Sequence, residues 1–253
     1  MAYESVVLAD SPSAFWPCQD TSGGLTDDAG SRDASETGSG HSYGLPGPGG
    51  FLSVGLTGQS LSGWQRADEN LWSSTALSIE AWVYWPAPSS AQQFFAAKAT
   101  TSASHEWGTS LHNTGGAPNV IGRIATTADT GWLDVEGAAT SDRHCGWHHV
   151  VMTLDSTPTL KMYVDGVNTQ TDSVTSGTRA SNSAGLFGIG FRHNLPNGYA
   201  GGNWAFDGQL TMVAFYDFAL TSGQVADHYA AMPGCHTGGW SVGFLPVAGP
   251  SAS

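Results

Sequence analysis

Apolar and polar side chains alternate between Trp147 and Leu154 (WHHVVMTL). His148, Val150, Met152 and Leu154 share one face; Trp147, His149, Val151 and Thr153 share the other. A period of two in β-branched and aromatic residues predicts a strand with one face in a core. Asp155–Pro158 supplies turn residues, and Leu160, Met162 and Val164 resume the alternation. Asp165-Gly166 then tolerates positive φ at both central positions of a tight hairpin, which brings Val167–Val174 back antiparallel. The prediction is a three-stranded meander. Ile79–Trp85 predicts a central strand with Ala81, Val83 and Trp85 facing one way and Trp82 and Tyr84 the other.

The same reading extends along the chain. Residues 3–20 predict an opening strand, a proline turn and a second short strand, and Gly38–Gly50 a Gly/Pro-rich loop. Further strands are predicted at Phe51–Leu56, Ser60–Trp64, Gln93–Lys98, Trp107–Leu111, Val120–Thr126, Trp132–Ala138, Ala184–Phe191 and Asp207–Tyr216. Arg192–Gly202 is a long loop. One helix is expected, over Thr221–Met232: Thr221 or Ser222 caps it, Val225, His228 and Tyr229 share a face, and Pro233-Gly234 stops it. Many short strands and tight turns in 253 residues suit a single all-β sandwich.

Composition narrows the partners. Charged residues are 11% of the chain, against about a quarter in an average domain. Eight Lys plus Arg against 21 Asp plus Glu gives a net charge of −13. A ligand with a phosphate backbone needs clustered cations, so nucleic acid is an unsuitable partner and an anionic membrane surface equally so. No stretch approaches the ~18 apolar residues of a membrane span, so no membrane insertion is expected. The opening MAYESVVLADSPSAFW has neither a basic start nor a long apolar core. The expectation is a chain assembled in the cytoplasm, or a mature chain trimmed of its leader. Cys18, Cys145 and Cys235 match neither a zinc pattern nor a disulfide framework; buried free thiols are expected, with a single pair as the alternative.

Three segments carry a resemblance: Leu77–Trp85 (LSIEAWVYW), Trp147–Gly166 (WHHVVMTLDSTPTLKMYVDG) and Phe206–Met232 (FDGQLTMVAFYDFALTSGQVADHYAAM). In order and wording they resemble the core of a laminin-G-like, concanavalin A-type jelly roll. The resemblance implies an all-β, two-sheet antiparallel jelly-roll sandwich over residues 1–232, with one short helix near the C-terminus. Residues 233–253 would be an extended Gly/Pro/Ser-rich arm. It also implies recognition of a carbohydrate or protein rather than chemistry. Many such domains hold Ca²⁺ with an aspartate near the last core strand and oxygens from the N-terminal region. Asp207, in Phe206-Asp207-Gly208, matches that aspartate, and Asp20, Asp27 and Asp28 lie in the N-terminal loops.

Each candidate chemistry has a plainer structural role beside it. Glycosidases of this fold use a Glu-x-Asp-x-Glu strand, which aligns its carboxylates on one face. Here only Asp134 and Glu136 approach that pattern, and Glu80 stands alone in its strand. A glycoside hydrolase is therefore the least favoured reading, and the chain is expected not to be an enzyme. His148 and His149, neighbours in a strand, point to opposite faces and so cannot readily share a zinc ion. Aromatic rings stack on sugar CH faces while amides and carboxylates read hydroxyls. The loop Arg192–Trp204 offers His193, Asn194, Asn197, Tyr199, Asn203 and Trp204 for this; Ser104–Trp107 offers His105, Glu106 and Trp107. In the C-terminal arm, Trp240, Phe244 and Leu245 stand among Gly, Ser and Pro without a charge, which suits docking on a partner subunit.

The expectation is a non-enzymatic surface protein of a tailed-bacteriophage virion, a minor tail or decoration protein made in the host cytoplasm. It would contact a host-surface glycan or another virion subunit and act within a homo-oligomeric assembly. The alternative is an extracellular carbohydrate-binding or adhesion module.

Overall fold

The computed structural model describes residues 2–58, 62–67, 69–85, 92–99, 105–114, 117–125, 132–138, 146–157, 159–173, 185–192 and 205–234. The chain opens with helix α1 (Tyr3–Ala9) and then runs through fifteen described strands. These are β1 (Ala14–Trp16), β2 (Ser35–Thr37), β3 (His41–Pro46), β4 (Leu52–Thr57), β5 (Gly63–Arg66), β6 (Leu77–Tyr84), β7 (Gln93–Ala99), β8 (His105–Thr114), β9 (Ala117–Ala125), β10 (Trp132–Ala138), β11 (His148–Leu154), β12 (Thr159–Val164), β13 (Val167–Ser173), β14 (Leu186–Ile189) and β15 (Asp207–Tyr216). Helix α2 (Ser222–Ala231) follows.

The strands form two antiparallel sheets. One runs β13-β12-β11-β6-β15-β4-β3, with β1 paired to the second half of β15. The other runs β10-β9-β8-β7-β14-β5-β2. The sandwich expected from the sequence is therefore present. The β11–β12–β13 meander is there too, and its hairpin turn has Asp165 at φ 52° and Gly166 at φ 78°.

The two faces of β6 and β11 separate as the alternation predicts. Ala81, Val83, Val150, Met152 and Leu154 point into the core between the sheets, with Trp16, Trp72, Trp107, Phe187 and Phe215. Trp82, Val151 and Trp147 point to the opposite side, into a second apolar layer with Tyr3, Val7, Phe15, Tyr216 and Val225. That layer exists because α1 and α2 lie across the outer face of the eight-stranded sheet.

The N-terminal segment differs from the strand expected there. Tyr3–Ala9 is helical because a turn of helix puts Tyr3 and Val7, four residues apart, on one buried face. Its run of Val and Leu has no strict period, so local pattern alone could not separate helix from strand. The described chain thus has two helices where one was expected. His41–Pro46, within the predicted loop, is an edge strand with alternating half-buried and exposed residues. α2 follows the prediction: Thr221 accepts from the backbone of Gln224, whose side chain accepts from the Thr221 N–H, a reciprocal cap.

β15 is kinked where it changes partners. Its register with β6 shifts between Thr211 and Ala214, and Met212 sits at φ 53°. Before the kink β15 pairs with β4, after it with β1. The Thr211 hydroxyl lies 2.9 Å from the Pro17 carbonyl oxygen and 2.8 Å from that of Leu52, which anchors the bend.

Candidate functional site

Strand pairing gathers several chain crossings at one end of the sandwich. β6 ends there beside the start of β15 (Tyr84 opposite Gln209), and β11 begins there (His148 opposite Val83). β14 ends there opposite the start of β5, and Phe94 bridges Ala205 where the chain comes back from the segment after Arg192. His193, Asn194, Asn197, Tyr199, Asn203 and Trp204, the predicted sugar-facing residues, lie outside the described residues, but both strand ends that bound them are at this rim.

The described rim carries a cluster of aromatic and polar groups. Tyr84 and Trp85 are both half-buried. Neighbours at a strand end point to opposite sides, so the pair straddles the end of β6. Tyr84 packs on Trp147 at 5.7 Å between ring centroids, and Trp85 on the His148 ring at 5.0 Å. Asp165, in the β12–β13 turn, holds this arrangement from below: its carboxylate lies 2.9 Å from His148 Nδ1 and accepts the His149 backbone N–H at 3.1 Å. Across the rim, the Arg192 guanidinium sits 5.7 Å from the centre of the Phe94 ring. The cluster offers ring faces and the partly exposed Asp165 carboxylate, with the buried His148 ring behind them.

On the outer face of the seven-stranded sheet, Asp134 and Arg123 are opposite each other in β10 and β9. Arg123 Nε and Nη2 each donate to an Asp134 carboxylate oxygen at 2.6 Å, and Nη1 donates to Gln92 at 3.1 Å. The fork occupies the carboxylate that the glycosidase comparison had singled out. The side chain of Glu136 lies outside the described set.

Two expectations are corrected by burial. Trp107 is fully buried in the inter-sheet core, its indole N–H donating to the Trp72 carbonyl, so it cannot face a ligand. Its neighbour Glu106 is also fully buried, 3.1 Å from Lys98 Nζ. Alternation put both on a strand but could not say which side the second sheet would cover.

The four acids proposed for calcium do not form one cage. Asp27 uses its oxygens on backbone N–H groups: Oδ1 accepts from Phe15 and Ala29, Oδ2 from Arg32. Asp20 accepts from the backbone and hydroxyl of Thr26, and Asp28 is exposed. Asp207 begins β15, whereas Phe15, held by Asp27, pairs with Ala214 near the other end of that strand. At about 3.3 Å per residue the two positions are roughly 20 Å apart. Among the described residues, no group of three or more His, Cys, Asp or Glu is placed to hold a metal. Asp20 and Asp27 organise their own loops. Trp240, Phe244 and Leu245 lie outside the described residues.

A second polar cluster, not foreseen from the sequence, lies beneath the helices. Glu80, fully buried in β6, accepts from His149 Nε2 at 3.1 Å, His228 Nδ1 at 2.9 Å and the Tyr216 hydroxyl at 2.8 Å. His228 Nε2 reaches Asp10 at 3.0 Å. Burial by itself would raise the Glu80 carboxyl, but the imidazoles of His228 and His149 outweigh it and hold it at about 2. Conversely, burial would lower His228, but Glu80 and Asp10 keep it above its ordinary value. The one signal in the sequence was a carboxylate in an apolar strand sharing a face with Trp82, opposite a strand carrying His149.

Comparison with known proteins agrees with this architecture. No curated protein matches the sequence. The binding domain of a Paraclostridial mosquitocidal protein superposes with a TM-score of 0.65 at 14% identity, over 88% of this chain and 52% of that one. This chain therefore spans about half of that binding domain. Domain 4 of a Geobacillus stearothermophilus GH43 extracellular arabinanase, solved with arabinotriose, gives 0.61 at 20% identity over 87% of this chain and 98% of that one. A Trypanosoma rangeli sialidase gives 0.58 at 12% identity over 87% of this chain and 32% of that one. At these identities the shared property is the fold, a sandwich found in a toxin binding domain, in an arabinanase domain solved with arabinotriose and in a sialidase. The sequence itself matches a family model over residues 58–226, about two thirds of the chain: the protein belongs to the Laminin_G_3 family of the concanavalin A-like lectin/glucanase superfamily.

Proposed function

We propose that this domain is a non-enzymatic glycan-binding module whose ligand lies on the rim formed by Tyr84, Trp85 and Asp165, with His148 buried behind them. The observation that carries the proposal is the half-buried Tyr84-Trp85 pair at the end of β6, backed by Trp147 and the His148–Asp165 pair. Ring faces held rigid by stacking suit the apolar faces of sugars, and the partly exposed Asp165 carboxylate, steadied by the buried His148 ring, suits their hydroxyls. The scarcity of Lys and Arg favours a neutral glycan over a polyanion. An arabinanase domain crystallised with arabinotriose and toxin binding domains of the same fold support a binding role. The Arg123 fork on Asp134 supports the absence of hydrolysis.

The test is a glycan array followed by calorimetric titration of the best ligand, with and without EDTA. Trp85→Ala should weaken binding about five- to thirteenfold, the loss of one stacking contact worth about 1–1.5 kcal/mol. Unchanged affinity in this variant would move the site elsewhere. We further propose that the module works on the surface of a tailed-phage virion against a host glycan. Among the described residues Cys18 is buried and outside any disulfide, which suits a chain made in a reducing compartment. Detecting its peptides in purified virions beside tail and capsid proteins tests that setting.

A further inference from the structure

The two helices are far apart in sequence, yet one side chain joins both to the sheet. His228 of α2 lies between two carboxylates: Glu80 in β6, 2.9 Å from Nδ1, and Asp10, 3.0 Å from Nε2. Asp10 is the residue that closes the C-terminus of α1. A carboxylate facing each ring nitrogen needs an N–H on both, and only the imidazolium has two. The neutral ring must turn a lone pair towards one of the carboxylates.

Which bond gives way follows from the surroundings. Glu80 is fully buried, with His149 and Tyr216 also donating to it, and it cannot be left with fewer donors without a large cost. Asp10 is partly exposed, its side chain 27% accessible, and water can take over its hydrogen bonds. The proton that remains on a neutral His228 therefore stays on Nδ1, towards Glu80, and the bond to Asp10 is lost. The other groups near the cluster do not replace it. Tyr216 packs 6.2 Å from the His228 ring and is committed to Glu80; Tyr3, from α1, is pushed well above its ordinary value by burial and by Glu80 and stays neutral. Tyr229, the next residue in α2, stacks on Trp82 and His149, and Asp227 precedes His228 on the same helix.

We propose that the Asp10–His228–Glu80 chain is a proton-controlled latch, which holds α1 on the outer face of the eight-stranded sheet while His228 is charged and releases it when His228 loses its proton. Besides this latch, α1 is held by burial of Tyr3, edge-on to Trp82 at 6.3 Å, and of Val7. Seven residues make less than two turns and do not form a stable helix alone, so loss of one polar anchor bears directly on whether α1 stays docked. Release would expose the apolar side of the sheet around Trp82, Phe15 and Tyr216.

Hydrogen exchange of the intact chain, read by mass spectrometry between pH 5 and pH 9 and corrected for intrinsic amide rates, tests the latch. Protection of Tyr3–Ala9 should fall at least about tenfold as His228 deprotonates, the change expected when one bound proton is linked to opening across one pH unit, while protection of β6 stays level. In Asp10→Asn the side chain accepts from the charged ring and donates to the neutral one, so α1 protection should lose its pH dependence. The His228 imidazole carbon and nitrogen shifts should titrate above free histidine in the parent chain and lower in Asp10→Asn. A flat protection profile for α1 in the parent chain, or the same pH profile in Asp10→Asn, would overturn the latch.

Discussion

Arg123 and Asp134 face each other across β9 and β10, joined by two parallel hydrogen bonds of 2.6 Å. The geometry is a fork on a carboxylate, which leaves neither Asp134 oxygen available as an acid or a nucleophile. Asp134→Asn is therefore expected to change neither glycan affinity nor any background hydrolysis. The pair is partly exposed, with side chains 14% and 33% accessible, so stability should fall by no more than about 1 kcal/mol. Measurable β-glucan turnover that disappears in this variant would refute the non-enzymatic reading.

Glu80 behaves differently because no water can replace its partners. Glu80→Ala leaves His149, His228 and Tyr216 without their common acceptor in a buried layer. Breaking a buried charged network in this way costs about 3–5 kcal/mol. For a domain of this size that is roughly a 10 °C drop in melting temperature, measurable by calorimetry. A drop of under 2 °C would show that the cluster contributes little to folding.

The same cluster gives stability a pH optimum. Glu80 is held at about 2 against an ordinary 4.5, so its contribution is present above about pH 4.5 and is lost as pH falls towards 2. His228 is raised from 6.5, so its contribution is complete below that pH and is lost as pH rises through its folded value. Both act together between about pH 4.5 and 6.5. Denaturant unfolding should show its best midpoint in that window, with the alkaline decline missing in His228→Gln. An optimum at pH 8 would contradict the assignment.

The β12–β13 turn is a place where one methyl group should be felt. Gly166 sits at φ 78°, and a Cβ there would lie 3.0 Å from the Cβ and Cδ1 atoms of Tyr229 in α2. Backbone strain and contact add, so Gly166→Ala should destabilise by about 1–3 kcal/mol. Because Asp165 precedes it and orients His148, glycan affinity should fall in the same variant; full stability with normal binding would rule out this coupling.

Cys18 is buried and its thiol is pushed far up by that burial, with the Asp20 charge adding to it. Peptide mapping after treatment with a thiol reagent should find Cys18 modified only when the chain is unfolded. Labelling in the folded protein at a rate near that of a free thiol would show that the core around Trp16 opens.

The sequence by itself determined what depends on neighbours along the chain. Alternation separated the two faces of β6 and β11 correctly, Asp165-Gly166 dictated the hairpin, and Thr221 with Gln224 marked the start of α2. Each is a local property, decided by side-chain period or backbone φ. Tertiary structure decided everything that depends on which face another element covers. Tyr3–Ala9 is a helix because a sheet lies ready to bury Tyr3 and Val7, and Trp107 is a core residue because the second sheet closes over it. Asp27 is one acid among several in the N-terminal loops until the fold brings three backbone N–H groups to its carboxylate. Glu80, alone in its strand, meets His149 sixty-nine residues later and His228 one hundred and forty-eight residues later. No period in a sequence encodes a meeting of that kind. It arises when a strand pairing and a returning helix bring distant groups to one buried point, where the missing solvent forces them to satisfy one another.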